Sequence, residues 1–183
     1  MKWYGVLFLF VLSIITVNFA TAVRIVDNGV IRERRFVSVP VVKKPSVGLK
    51  TLSGEPAVFS KKPFLLVFFA VDCPYCKLFH GVLNDVAKDI PVVGIMTRPD
   101  KKGEFEKQIK QAGKNPYAFV GTDTTGEWSR AYRIYGIPVA FLVDGDKNLM
   151  RYEGAFTKEK YDTVVREQVL TFLKGEKKDE AKQ

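Results

Sequence analysis

The stretch that decides the fold is Pro63–Leu83, which reads PFLLVFFAVDCPYCKLFHGVL. Seven apolar residues, Phe64 to Ala70, follow one another without alternation, as in a strand that is buried on both faces. After Val71 and Asp72, a second apolar pattern begins, and its spacing is helical. Its members are Leu78, Phe79, Val82, Leu83, Val86, Ala87 and Ile90. The stretch therefore predicts a buried strand that leads directly into an amphipathic helix.

The only two cysteines of the chain lie at this junction, in the motif Cys73-Pro74-Tyr75-Cys76. Pro74 suits the first turn of a helix, where its missing N–H is not needed. The helix N-terminus carries a partial positive charge and unpaired N–H groups, and both stabilise a thiolate. We therefore expect Cys73 to attack disulfides and Cys76, one turn deeper, to resolve the mixed disulfide.

Zinc sites use the same cysteine spacing, so the motif alone is ambiguous. Zinc needs four ligands in a closed site, and His80 is the only histidine that could join the two thiols. Its spacing to the pair fits no common zinc motif. Redox chemistry is therefore favoured, and no metal site is predicted.

The N-terminus has the pattern of an export signal. Lys2 precedes a nearly unbroken apolar run, and Ala20-Thr21-Ala22 resembles a small-residue cleavage site. We interpret Met1–Ala22 as a cleaved signal peptide or an uncleaved membrane anchor, because the run is at the short end of a membrane span. Either reading exports the rest of the chain to a compartment that permits disulfide chemistry.

The chain is basic, with a formal net charge of +9. A basic balance can indicate nucleic acid or anionic lipid as a partner. The lysines are scattered, however, and no basic stripe with interleaved aromatic residues is present, as single-strand binding would need. We therefore predict no nucleic-acid partner.

The remaining sequence divides into three segments. Residues 23–46 are interpreted as a spacer or an edge strand, because the strand-like FVSVPVV contains a proline. Residues 47–174 are predicted to be the folded domain, and 175–183 a disordered polar tail. The domain opens with a hairpin, Val47–Leu52 and Ala57–Phe59, around a Ser-Gly-Glu-Pro turn.

Downstream of the cysteine helix, the same rules predict the other helices and strands. They are a strand Val92–Thr97, a surface helix within Arg98–Gly113, a brief strand Tyr117–Val120, a helix Gly126–Tyr135 with Trp128, Ala131, Tyr132 and Tyr135 on one face, a strand Val139–Val143, a turn Asp144–Asn148, a return strand Leu149–Glu153 and a final helix Thr157–Lys174 capped by Thr157.

With Gly136-Ile137-Pro138 placed before a strand, the chain resembles thioredoxin-fold proteins. More narrowly, it is similar to the exported TlpA/ResA/CcmG-type thiol-disulfide oxidoreductases, over roughly Val47–Leu173. The resemblance rests on TLSGEPAVF, LLVFFA, the CPYC motif and YGIPVAFLVDGDKNLMRYEGAFT. It implies an α/β thioredoxin fold, in which helices flank a central mixed β-sheet. An N-terminal β-hairpin and an insertion between the βαβ and ββα halves would complete it.

The resemblance also implies site residues. Pro138 would form a cis peptide bond and place the Ile137 backbone beside the cysteines, where it binds an extended substrate. From its place between the cysteines, Tyr75 is expected to tune the redox potential or to face the substrate, and Pro74 is expected to support the site. No cofactor is expected beyond a redox-active Cys73–Cys76 disulfide.

The sequence departs from this family at several positions. Asp72 stands where the family usually has tryptophan. Val67 and Phe79 stand where relatives carry the acid that deprotonates the second cysteine. Lys77 or water is then left for that role, and His80 is interpreted as a half-buried helix residue more readily than as a catalytic one.

The resemblance favours a periplasmic reductase of protein disulfides, which draws electrons from a membrane partner and prepares apocytochrome c cysteines. A disulfide-forming oxidase or isomerase remains open. A copper-binding chaperone also remains open, since copper(I) favours thiolate ligands. A purely structural disulfide is disfavoured because closing so short a loop removes little chain entropy.

Overall fold

The computed structural model describes residues 34–42, 49–59, 63–145 and 148–180. The predicted signal or anchor, Met1–Ala22, lies outside the described residues. Within the described ranges, no helix is both long and apolar enough to cross a membrane.

The described residues form short strands and helices, which alternate in the middle of the domain. In order, the elements are β1 (Val37–Ser38), β2 (Lys50–Thr51), β3 (Phe64–Phe69), α1 (Pro74–Val86), β4 (Val92–Met96), a 3-10 turn (Pro99–Lys101), α2 (Lys102–Ala112), β5 (Tyr117–Thr122), α3 (Glu127–Ala131), β6 (Val139–Asp144), β7 (Asn148–Glu153), α4 (Lys158–Lys160), a π-helical turn (Tyr161–Val165) and α5 (Arg166–Glu180).

The described strands form one mixed sheet with the order β1-β7-β6-β3-β4-β5-β2. The three strands β3, β4 and β5 are parallel to one another. The β6–β7 hairpin pairs antiparallel with β3, and the short strands β1 and β2 form the two edges. The prediction of a central mixed sheet flanked by helices is confirmed.

Strand β3 lies in the middle of this sheet, and all six of its residues are buried. Leu65, Val67 and Phe69 belong to the core that also contains Cys76, on α1, and Phe105, on α2. The alternate residues Phe64, Leu66 and Phe68 face the other core, together with Trp128 and Tyr132. The unbroken apolar run is thus explained, because each face of the strand is covered by helices.

The N-terminal part of the domain differs in part from the prediction. Of the predicted hairpin, whose first two residues lie outside the described residues, the structure shows strand β2 and a bridge between Lys50 and Pro56. Backbone hydrogen bonds from Thr51 to Glu55 and from Ala57 to Leu49 flank this bridge. The segment interpreted as a spacer or an edge strand contains β1, which pairs with β7 at one edge of the sheet, so the edge-strand interpretation is confirmed. Phe36, beside β1, is buried and exchanges two hydrogen bonds with the Gln168 side chain, so the fold begins earlier than Val47.

Two side chains that were assigned to buried faces are exposed. Leu78 is 72% exposed because the buried face of α1 consists of Cys76, Phe79, Leu83 and Val86. Tyr135 is 91% exposed, since helix α3 ends at Ala131 and Arg133 adopts a left-handed backbone conformation with φ of 51°. Leu78 and Tyr135 therefore place an aliphatic and an aromatic side chain on the surface.

The C-terminal helix begins as predicted, because the Thr157 hydroxyl accepts a hydrogen bond from the Lys160 N–H. It does not stop at Gly175. Helix α5 continues to Glu180, through part of the segment predicted to be a disordered tail. A single glycine costs only about 1 kcal/mol inside a helix, and the flanking lysine and glutamate residues are good helix formers.

Candidate active site

Cys73 is the N-cap residue of helix α1, with an extended backbone, and Pro74 occupies the first helical turn. The Cys76 N–H donates a hydrogen bond to the Cys73 sulfur at 3.3 Å. Cys73 is partly exposed, and both cysteines are free thiols. A sulfur in this position meets the unpaired N–H groups of the helix start, as expected from the sequence.

Cys76 has a different environment, because its side chain is fully buried. Burial raises the pKa of the Cys76 thiol far above its usual value, and the hydrogen bond to Cys73 raises it further. Cys76 is therefore protonated at neutral pH. The pair consists of one accessible sulfur and one buried thiol that faces it, which suits successive attack and resolution.

The site also contains the Ile137-Pro138 peptide bond, which precedes β6 and is cis, as the resemblance implied. The Cys73 thiol donates a hydrogen bond to the Ile137 carbonyl oxygen at 3.8 Å. Tyr75 is 68% exposed, and Tyr135 lies two residues before Ile137 on the chain. The structure thus places Ile137 beside Cys73, which lies 64 residues earlier in the chain.

Arg151, on β7, is a supporting residue that the sequence analysis missed. Its guanidinium donates hydrogen bonds to the carbonyl oxygens of Tyr132 at 2.9 Å and Arg133 at 3.0 Å. The same group lies over the Phe141 ring, 5.4 Å from its centroid. Arg151 therefore fastens the turn that leads into Ile137 to the sheet.

Asp123, directly after β5, is a second supporting residue that the sequence analysis missed. Its buried carboxylate accepts hydrogen bonds from the backbone N–H groups of Trp128 and Ser129, and from the Ser129 hydroxyl at 2.6 Å. These bonds fix the start of α3. An Asp five residues before a helical tryptophan gave no distinctive signal in the sequence.

Asp72 precedes Cys73 and forms a salt bridge with Arg98. Partial desolvation works to raise the pKa of Asp72, but the hydrogen bond and charge of Arg98 outweigh it, and the pKa falls below its usual value. The Asp72 side chain is 39% exposed. It therefore faces solvent, as expected, but as a paired carboxylate.

His80 lies one turn beyond Cys76 and is half-buried, as the sequence predicted. Its ring makes edge contacts with Phe69, Phe105 and Tyr117. Val67 and Phe79, which occupy the positions of the familiar acids, are apolar and buried. In the part of the chain that the structure describes, no three His, Cys, Asp or Glu side chains cluster closely enough to hold a metal ion.

Comparison with known proteins agrees with this geometry. The chain matches the thioredoxin-like domain family over residues 56–168. It is 29% identical to the thiol:disulfide interchange protein DsbE of Pasteurella multocida over 174 residues, which cover 90% of this chain and 92% of that protein. A DsbE protein from Tatumella citrea is 35% identical over 133 residues, or 70% of either chain.

A solved structure has the same fold. It is a secreted Mycobacterium tuberculosis disulfide oxidoreductase, homologous to E. coli DsbE, with a TM-score of 0.52 and 24% identity. The match covers 62% of this chain and 90% of that one. The chain therefore belongs to the thioredoxin-like family and is a thiol-disulfide oxidoreductase of the DsbE, or CcmG/TlpA, type.

Proposed function

We propose that the protein reduces disulfides in exported partner proteins, with Cys73 as the nucleophile and Cys76 as the resolving thiol. The observation that carries this proposal is the asymmetry of the pair. Cys73 is partly exposed at a helix N-terminus, whereas Cys76 is fully buried and donates its N–H to the Cys73 sulfur. An incoming disulfide can therefore reach only one of the two sulfur atoms.

The reaction has two displacements. The Cys73 thiolate attacks one sulfur of the partner's disulfide, and the other sulfur leaves as a thiolate. Cys76 then loses its proton and attacks the Cys73 sulfur, which releases the second partner thiolate. Two electrons have passed to the partner, and the protein holds a Cys73–Cys76 disulfide. A membrane electron donor would restore the dithiol.

The surroundings of Cys73 suit an extended protein segment as the substrate. The Ile137 carbonyl oxygen lies next to the sulfur, and Pro74 and Tyr75, which follow Cys73 in the chain, are exposed. Exposed aromatic side chains such as Tyr75 supply contact area at a low cost in conformational entropy.

Within this class of substrate, apocytochrome c is our candidate, through the resemblance to CcmG-type proteins. Its haem-attachment cysteines, in a Cys-x-x-Cys-His motif, must be reduced before haem is joined to them. We also propose a periplasmic location, with Met1–Ala22 as the signal or anchor. Cell fractionation with N-terminal sequencing of the mature protein distinguishes cleavage from anchoring.

The direct test is covalent trapping in cells. A Cys76→Ser variant can attack a partner but cannot resolve the mixed disulfide, so adducts should accumulate that dithiothreitol releases. The matched control is the Cys73→Ser, Cys76→Ser double variant, which should form none. Mass spectrometry of the adducts identifies the partners. If the single variant formed no more adducts than the double variant, the proposal would be wrong.

A further inference from the structure

Two buried polar atoms stand out in the core beneath Cys76. Among the described residues, the buried side-chain nitrogen and oxygen atoms without a hydrogen-bond partner are Nε2 of His80 and the hydroxyl oxygen of Tyr117. Leaving such a group unsatisfied destabilises a fold, because the group has lost its hydrogen bonds to water. Their rings are in edge contact, with centroids 5.4 Å apart and planes at 89°. The fold therefore holds two polar groups together where apolar ones would be more stable.

Tyr117 belongs to the same core cluster as the resolving thiol, and His80 lies one turn further along α1. His80 follows Cys76 by four residues on α1, so both lie on one face of the helix. Helical side chains lean towards the N-terminus, which directs the His80 ring towards the turn that carries Cys76. Tyr117 is within electrostatic reach of the same sulfur. Burial raises the pKa of Tyr117 well above its usual value, and a charge on Cys76 raises it further.

On its other side, His80 borders an open cavity of about 490 Å³. The charged groups that line this cavity are Lys77, on α1, and Lys114, between α2 and β5. Phe69, from β3, and Phe105, from α2, contact the ring with apolar surface. His80 thus lies between the buried thiol and a region that solvent reaches.

We propose that His80 accepts the proton that Cys76 loses when it resolves the mixed disulfide, and that Tyr117 is a positioning residue for the imidazole. The Cys76 proton moves to His80, the Cys76 sulfur bonds to the Cys73 sulfur, and the bond from Cys73 to the partner breaks. The partner leaves as a thiolate. The imidazolium then returns its proton to solvent through the cavity.

The electrostatics are consistent with this role. Burial lowers the pKa of His80 to about 4, so its imidazole is neutral at pH 7 and stays a weak base until a negative charge forms beside it. The imidazolium and the Cys76 thiolate would stabilise each other as they form, because opposite charges favour one another in a low dielectric. No carboxylate at position 67 or 79 competes with His80 for the Cys76 proton, because Val67 and Phe79 are apolar.

The inference rests on two-cysteine exchange, and stopped-flow reaction of the reduced full-length protein in detergent with equimolar dithiobis-nitrobenzoate tests it. This aromatic disulfide releases one coloured thiolate when Cys73 attacks and a second when Cys76 resolves. His80→Phe retains the ring but removes the acceptor. It should slow the second phase at pH 7 by about 100-fold or more and leave the first unchanged.

The pH profile separates proton transfer from packing. In His80→Phe the second phase should rise about tenfold for each pH unit, because only thiol that is already ionised can attack. The wild-type second phase should be much less dependent on pH between 6 and 8. Tyr117→Phe should slow the second phase by a smaller factor. Phe105→Leu alters the same ring cluster without removing a polar atom, so it should leave the pH profile of the second phase unchanged.

The outcomes also distinguish this inference from the exchange on which it rests. Cys76→Ser should show one phase only, and two phases in that variant would mean that the two-cysteine relay itself is wrong. If His80→Phe reduced the second phase by less than about twofold at every pH, His80 would not be the acceptor. Should His80→Phe fail to fold, His80→Gln serves the same comparison, and Lys77→Gln tests the alternative acceptor.

Discussion

Arg98 donates a hydrogen bond from Nη1 to the carboxylate of Asp72, the residue that precedes Cys73. The salt bridge joins the β3–α1 junction to the segment that follows β4. It also neutralises the negative charge of the residue that adjoins Cys73. The family position that usually holds tryptophan is therefore occupied by a paired charge.

Removing the arginine should make Cys73 less reactive. In a Cys76→Ser background, Arg98→Gln frees the Asp72 charge and should slow alkylation of Cys73 by iodoacetamide about two- to fivefold at low salt. Adding Asp72→Asn should restore the rate, and Lys102→Gln, at a nearby salt bridge, should not change it. An unchanged rate in Arg98→Gln would show that the Asp72 charge does not reach the sulfur.

Arg151 should matter for partner binding through the backbone that it fastens. Arg151→Met retains much of the contact with Phe141 but loses the hydrogen bonds to the Tyr132 and Arg133 carbonyl groups. We expect the free energy of unfolding to fall by about 1–3 kcal/mol. We also expect KM for a protein disulfide to rise more than kcat falls.

Urea unfolding and steady-state reduction of a protein disulfide measure these two effects. Lys110→Met, on the exposed side of α2, is the matched control and should change neither. An Arg151→Met protein with wild-type KM and lower stability would limit Arg151 to a structural role.

The C-terminal helix should make stability dependent on acid pH. Asp89 accepts hydrogen bonds from Arg166 and from the Tyr161 hydroxyl. The Arg166 hydrogen bond is the main cause that lowers the pKa of Asp89 below its usual value, against the opposing effect of desolvation. A carboxylate with a lowered pKa stabilises the fold above the pKa of the unfolded chain, about 4. That stability is lost as pH falls through the lower, folded value.

Asp89→Asn should therefore lower the free energy of unfolding by about 1–3 kcal/mol at pH 7. The difference from wild type should shrink below about pH 4, where the wild-type carboxylate is also protonated. Urea titrations at several pH values measure it, with the exposed Asp100→Asn as control. A difference that stayed constant with pH would mean that the charge of Asp89 is not responsible.

Much of the fold could be predicted from the sequence because it depends on local patterns. Phe64–Phe69 is uniformly apolar and became the central strand, and Pro74 marked the start of α1. Leu78 was misplaced because periodicity identifies an apolar stripe but not its edge. Tyr135 was assigned to a buried helix face because nothing in the local sequence indicates the left-handed backbone of Arg133.

The supporting parts of the site could not be predicted in the same way. The hydrogen bond from Arg151 to the Tyr132 carbonyl oxygen joins residues from different elements, and so does the contact between His80 and Tyr117. Their proximity depends on strand order and register, which residue patterns alone do not specify. The cis Ile137-Pro138 bond came from family resemblance, since no periodicity signals it.

The central claim is that the Cys73–Cys76 pair donates electrons to partner disulfides. The most direct measurement is its reduction potential, obtained by equilibrating the full-length protein in detergent with glutathione and dithiothreitol buffers and counting alkylated thiols by mass. We predict a value near that of thioredoxin, about −270 mV. A value near about −120 mV, typical of strong oxidants of this fold, would reverse the direction of electron flow and contradict the account.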